Sequence, residues 1–202
     1  RDALFMPNCR LANRTLWKLM HVEDGRLTDA VWIPSPNFGP RPDPADISLL
    51  VIHNISLPPG QYGTGCIPRF FCNTLDCEEH PYFREIEGMQ VSSHLLIERD
   101  GRVLQFVRFD QRAWHAGVST FGGRENCNDY SVGIELEGTD TDPYTDAQYQ
   151  ALADVTSALQ QAYPGISSDR ITGHEHIAPG RKTDPGEAFD WSRYRRSYQQ
   201  GV

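Results

Sequence analysis

The run Ser48-Leu49-Leu50-Val51-Ile52-His53-Asn54, bounded by Pro44 and Pro58, limits most strongly how this chain can fold. A continuous apolar stretch of this length between prolines reads as a buried strand. Its polar end carries His53 out to the edge of a sheet, where sites form.

Other segments extend the pattern. Ser131 to Glu137 alternates Val132, Ile134 and Leu136 against Gly133, Glu135 and Glu137, which predicts a strand with both glutamates on one face. Asp100-Gly101 lies between the alternating runs Ser92 to Arg99 and Arg102 to Arg108. It predicts a hairpin, because both residues tolerate positive φ. Thr145-Asp146-Ala147-Gln148 is a capping box, in which Thr and Gln side chains satisfy free amide groups reciprocally. The helix it starts buries Ala147, Ala151, Leu152, Val155, Ala158, Leu159 and Ala162 and stops at Pro164-Gly165. Prolines 34, 36, 40, 42 and 44 make the stretch before the first buried strand extended, and it is expected to wrap the surface. From Leu57 to about Glu87 the pattern predicts a long loop with a short helix or two, lying over the site.

The expected fold class is α/β (α+β), a single domain with a central mixed, partly antiparallel β-sheet flanked by helices. The expected division is residues 1–29 as an N-terminal extension, 30–195 as the functional domain and 196–202 as a tail. The residues before Met20 are expected to be optional or non-native.

At 202 residues and 39% hydrophobic content, the chain suffices for one sizeable core. A net charge of -8 without any Lys/Arg-rich run argues against nucleic acid or an anionic membrane as partner. A small molecule is the expected partner, and a monomer the expected state. No stretch approaches the roughly 18 apolar residues of a membrane span, and the first twenty residues lack a signal-peptide pattern. A cytoplasmic location is therefore expected. Cys9, Cys66, Cys72, Cys77 and Cys127 are odd in number, which favours reduced thiols. Cys66, Cys72 and Cys77, with His80 nearby, lack the knuckle spacing of a structural zinc site. No Gly-rich nucleotide loop is found.

The chemistry concentrates in Gly173-His174-Glu175-His176-Ile177-Ala178-Pro179-Gly180-Arg181-Lys182-Thr183-Asp184-Pro185-Gly186. This Gly/Pro-punctuated segment can fold back so that a histidine and an aspartate ten residues apart meet. Hydrolytic zinc takes three His or carboxylate ligands and keeps one position for water, and His53, His174 and Asp184 fit that count. Such chemistry also needs a base, for which the strand-end Glu135 is placed. It gains from a cation near the developing oxyanion, for which Lys182 is the candidate.

Four segments together resemble the zinc-dependent N-acetylmuramoyl-L-alanine amidases. They are Val51 to Ser56, Arg112 to Ser119 (R-A-W-H-A-G-V-S), Cys127 to Gly138 (C-N-D-Y-S-V-G-I-E-L-E-G) and Gly173 to Gly186. The resemblance spans about Ala30 to Tyr194 and is nearest to the cytoplasmic members that act on 1,6-anhydro muropeptides in wall recycling.

The resemblance implies hydrolysis of the amide between the lactyl group of 1,6-anhydro-N-acetylmuramic acid and the first L-alanine of the stem peptide. It implies one zinc ion per chain on His53, His174 and Asp184, Glu135 as general base and Lys182 as oxyanion stabiliser. His176 is not a ligand in this mapping. Asn54, Trp114, His115, Leu136 and Arg181 are the implied substrate-binding residues; Trp114 and Asn54 also read as a core aromatic and a supporting amide, and His115 as groove or structural. Where inducible β-lactamase is controlled by muropeptides, such an enzyme lowers the inducer.

The family pattern has arginines where this chain has Gln90 and Asn126, and Arg124 or Arg181 is the expected substitute for gripping the peptide. Three rivals remain: a recognition module that binds muropeptides without cutting, an exported amidase acting on wall polymer, and a non-enzymatic scaffold. Retention of the three ligands and Glu135 argues against the first.

Overall fold

The computed structural model describes residues 20–199. A hairpin of β1 (Val22–Glu23) and β2 (Arg26–Leu27) leads to β3 (Val31–Trp32), β4 (Phe38–Pro40) and β5 (Leu49–Ile55). Then come α1 (Cys66–Phe71), a 3-10 turn at Pro81–Ile86, β6 (Leu95–Ile97), β7 (Val103–Gln105) and β8 (Gln111–Ala113). A second hairpin, β9 (Thr120–Phe121) with β10 (Arg124–Glu125), precedes β11 (Ser131–Glu137) and α2 (Asp146–Ala162). The chain continues through β12 (Ile171–Gly173) and α3 (His174–Ile177) to α4 (Trp191–Gln199).

Six strands form one mixed sheet in the order β12-β5-β11-β6-β7-β3. β5 and β11 are parallel neighbours near its middle, and only β6 with β7 runs antiparallel. Strand alternation divides the apolar residues between two faces. Leu50, Ile52, Val132, Ile134 and Leu136 join Leu152, Val155 and Leu159 of α2 and Tyr194 of α4 in the main core. On the other face Leu49 and Val51 pack with Ala116, Cys127, Tyr130 and Ile177, while Leu96, Leu104 and Phe106 pack with Phe70, Phe71 and Phe83 from the 57–87 segment.

The start of α2 follows the capping-box expectation: Thr145 Oγ1 accepts from the Gln148 amide at 3.1 Å, and Gln148 Oε1 accepts from the Thr145 amide at 3.1 Å. The fully buried Gln148 also donates through Nε2 to the Glu137 and Ile97 carbonyls at 2.9 and 3.2 Å. One side chain thus caps the helix and ties it to two strand ends.

Three expectations are corrected. In the β6–β7 hairpin Gly101 alone has positive φ, at 86°, because the loop holds three residues closed by bonds between Glu98 and Arg102 and between Gly101 and Glu98. A left-handed glycine in third place is what such a loop requires. Residues 20–29 are not an appendage: Leu27 is buried, and Met20 and Val22 pack on the main core. Nor does the packed body stop at 195, since Tyr198 is buried in the same core. The expectation for residues before Met20, like Cys9, lies outside the described residues.

The proline-rich stretch is extended, and within it β4 pairs antiparallel with β8. Arg41, which drew no attention in the sequence, is 4% exposed. It donates to the carbonyls of Phe109, Asp129 and Ser131 at 2.9, 3.1 and 2.7 Å, and burial lowers its pKa to about 10. Among the described residues, Cys66, Cys72, Cys77 and Cys127 are free thiols, and no helix is long and apolar enough to cross a membrane.

Candidate active site

The register of three parallel strands assembles the site. Glu135 of β11 lies directly opposite His53 of β5, and Gly173 of β12 lies opposite Ile52, so that His174 follows beside His53. All three emerge at the carboxyl ends of their strands, where parallel sheets place ligands. The segment after α3 turns back: the Arg181 and Lys182 amides both donate to the Ala178 carbonyl, and the Glu175 amide donates to that of Asp184 at 2.9 Å. This return brings Asp184 to the two histidines.

His53 Nδ1 and His174 Nδ1 are 3.0 Å apart, and each reaches Asp184 Oδ2, at 2.9 and 3.1 Å. Three donor atoms bonded to one ion at about 2.0–2.1 Å in tetrahedral directions lie roughly 3.3 Å from one another, so the cluster fits a metal. The outer nitrogen of His174 supports the same reading. Its Nε2–H donates to the Ala116 carbonyl at 3.0 Å, which leaves the Nδ1 lone pair for an ion. Among the described residues these three form the only such metal-holding group. The cysteines Cys66, Cys72 and Cys77 do not form one, and His176 points away, toward Trp191.

Electrostatics separate the two carboxylates. Burial pushes Asp184 up, but its close contacts with the His174 and His53 rings hold it well below the usual carboxylate range. Burial, followed by the charge of Asp184, pushes the Glu135 carboxyl well above its usual range, with Lys182 opposing. Glu135 Oε2 is buried with no hydrogen-bond partner among the described residues. A buried polar atom left unpaired is rare enough to mark a functional position. Burial lowers the pKa of His53, keeping the ring neutral and able to ligate.

A cavity of about 380 Å³ opens on this cluster, lined by His53, Asn54, Trp114, His115, Glu135, His174, Lys182 and Asp184. Leu57, Phe70, Phe71, Tyr82, Ile86 and Met89 form its apolar wall, so the 57–87 segment lies over the site as expected. Two expected groove residues do not line it. Leu136 is 1% exposed within the main core, because alternation turns it away from Glu135. Arg181 donates through Nη2 to the Ala116 and Val118 carbonyls, both at 2.7 Å, tying two loops together beside the cavity. Arg124 is likewise engaged, paired with Asp46 and stacked on Tyr130 at 3.8 Å.

The sequence reading missed Gly133. A Cβ there would lie 2.5 Å from His115 Cγ, so the glycine makes room for the ring between the strand and His53. The available signal was a glycine inside a strand, which often marks close approach of another group.

A two-imidazole, one-carboxylate cluster beside an unpaired buried glutamate allows a metal site in the cavity. The chain belongs to the N-acetylmuramoyl-L-alanine amidase family, whose profile matches residues 43–187. The 1,6-anhydro-N-acetylmuramyl-L-alanine amidase AmpD of Haemophilus influenzae is 57% identical over 180 residues, 89% of this chain and 98% of that protein. A crystal structure of a selenomethionine AmpD derivative superposes with a TM-score of 0.86 at 57% identity, covering 88% of this chain and 99% of that one. A complex of E. coli AmiD with anhydro-N-acetylmuramic acid-L-Ala-D-γ-Glu-L-Lys matches with a TM-score of 0.56 at 27% identity, covering 89% and 66%.

Proposed function

We propose that this chain is a zinc-dependent amidase of cytoplasmic peptidoglycan recycling, cutting between the lactyl group of 1,6-anhydro-N-acetylmuramic acid and the L-alanine of the stem peptide. The observation that carries the reading is the His53–His174–Asp184 cluster in register with an unpaired, buried Glu135. The identity to AmpD over nearly the whole of that relative supports the substrate. The acting domain is taken as the part of 30–195 that holds all these residues, working as a monomer.

His53, His174 and Asp184 hold the single zinc ion. When bound, it supplies Lewis-acid polarisation of the amide carbonyl and acidifies a water. Glu135 takes the proton from the attacking water and delivers it to the departing alanine nitrogen. Its raised pKa suits the second half of that task, because a carboxyl protonated by the attack stays protonated until the amine needs it. Lys182 brings a cation to the developing oxyanion, a contribution worth a few kcal/mol for a well-placed donor. Trp114 offers an indole face to the sugar, and the apolar wall from the 57–87 segment keeps water from the peptide side.

The test is release of free peptide from anhydro-muramyl tripeptide by purified protein, before and after chelation and with zinc restored. Release that stops on chelation and returns with zinc is expected. No release from folded, zinc-loaded protein would favour a recognition module, and faster cleavage of intact sacculi than of the anhydro substrate would favour a wall-polymer amidase.

A further inference from the structure

His174 and His53 are oriented differently from behind. The outer nitrogen of His174 meets a backbone carbonyl. That of His53, Nε2, lies 2.9 Å from Nδ1 of a third imidazole, His115. With the His53 Nδ1 lone pair given to the ion that His174 and Asp184 would share, the His53 proton would sit on Nε2 and His115 Nδ1 would accept it. The His115 proton then sits on its own Nε2, 3.1 Å from the hydroxyl of fully buried Ser131, which accepts in turn.

The surroundings are built for this one ring. Ser131 and Gly133 share the face of β11 that carries Glu135; the serine meets the far nitrogen, and the glycine leaves the space a Cβ would fill. Asn128 Oδ1 accepts from the backbone amides of His115 and Ala116 at 3.1 and 2.8 Å, fixing the backbone from which the ring projects. The His53 and His115 rings meet edge to face, with centroids 5.0 Å apart.

We propose that His115 is a positioning residue for the metal ligand His53: an imidazole acceptor, its own Nε2–H received by Ser131, that holds His53 with Nδ1 aimed at the ion. The inference rests on the zinc reading above. It gives His115, which also lines the cavity, a role exerted through His53.

The experiment measures Zn2+ affinity of the full chain by competition with a chromophoric chelator, without substrate, and follows melting of the metal-free protein as a folding control. Partners of this kind affect metal affinity by about 10- to 100-fold. His115→Leu, which removes the acceptor, is expected to weaken Zn2+ binding within that range. His115→Asn, whose Oδ1 can stand where Nδ1 stood, is expected to recover most of the loss. Ser131→Ala is expected to fall between them with metal-free melting unchanged, and it carries the test by itself if His115→Leu does not fold. Wild-type affinity in Ser131→Ala and His115→Leu overturns the proposal, as does His115→Asn binding no better than His115→Leu. Failure of the wild-type chain to bind Zn2+ would instead overturn the zinc reading, and this inference with it.

Discussion

Glu135 and Asp184 are carboxylates facing one cavity, and their surroundings push their pKa values in opposite directions. The His174 and His53 rings lower that of Asp184, whereas burial and then the charge of Asp184 itself raise that of Glu135, with Lys182 opposing. Glu135→Gln keeps the shape and removes the proton carrier. It is expected to retain stoichiometric zinc while kcat falls by about 10²- to 10⁴-fold; metal analysis alongside steady-state turnover checks this, and parallel loss of zinc would make Glu135 a ligand. The face that carries Glu135 was legible from alternation, since Val132, Ile134 and Leu136 fixed the other, but alternation alone does not separate it from Glu137. Gly133 lies on the same face and was not legible as functional, because its value depends on a ring eighteen residues upstream in the chain. Gly133→Ala sets a methyl 2.5 Å from that ring, and overpacking of this kind costs about 1–3 kcal/mol. The expected outcome in chemical denaturation is a lowered midpoint with an unchanged slope.

The elements carrying the site were easier to foresee than the contacts between them. β5, β11 and the capped α2 announce themselves by local pattern, and their bounds follow it. The return loop from Ala178 to Gly186 gives no such signal, since nothing local tells where it docks. Asp140, just beyond β11, secures it: Oδ1 accepts from Asn54 Nδ2 at 2.8 Å and Oδ2 from Thr183 Oγ1 at 2.5 Å. Asn54 Nδ2 and the Tyr144 hydroxyl also donate to the Pro185 carbonyl, at 3.1 and 2.7 Å. Asn54 lines the cavity, yet its amide is committed to the loop that presents Lys182 and Asp184. Asp140→Ala is therefore expected to loosen that loop, lowering zinc affinity by about tenfold or more, as losses behind a metal site do, while α2 and the main core stay folded. Chelator competition with far-ultraviolet circular dichroism checks both halves, and unchanged affinity would mean the loop docks without Asp140.

Across the whole molecule, the mixed sheet and its two covers could be read from the chain, whereas the strap locking the site face could not. Arg41 reaches carbonyls 68 to 90 residues away, and such pairing leaves no local trace. Beside it, His94 is fully buried. His94 Nδ1 accepts from the Gly133 amide at 3.1 Å and Nε2 donates to the Gln111 carbonyl at 3.0 Å. The Arg41 guanidinium lies 3.2 Å from the same Nε2, and the Phe109 and His115 rings close the sides. Burial, then the charge of Arg41, lowers the His94 pKa to about 3, with the Gln111 carbonyl opposing. An unfolded histidine titrates near 6.5, so between these values the unfolded chain binds a proton the folded one refuses. The stability from keeping His94 neutral is complete above pH 6.5 and is lost as pH falls toward 3, at up to about 1.4 kcal/mol per pH unit. His94→Asn keeps an acceptor for the Gly133 amide and removes the titration. Denaturation of the two metal-free proteins across this window is expected to give a wild-type advantage that shrinks with falling pH; curves that stay parallel would mean His94 takes up its proton without cost to the fold.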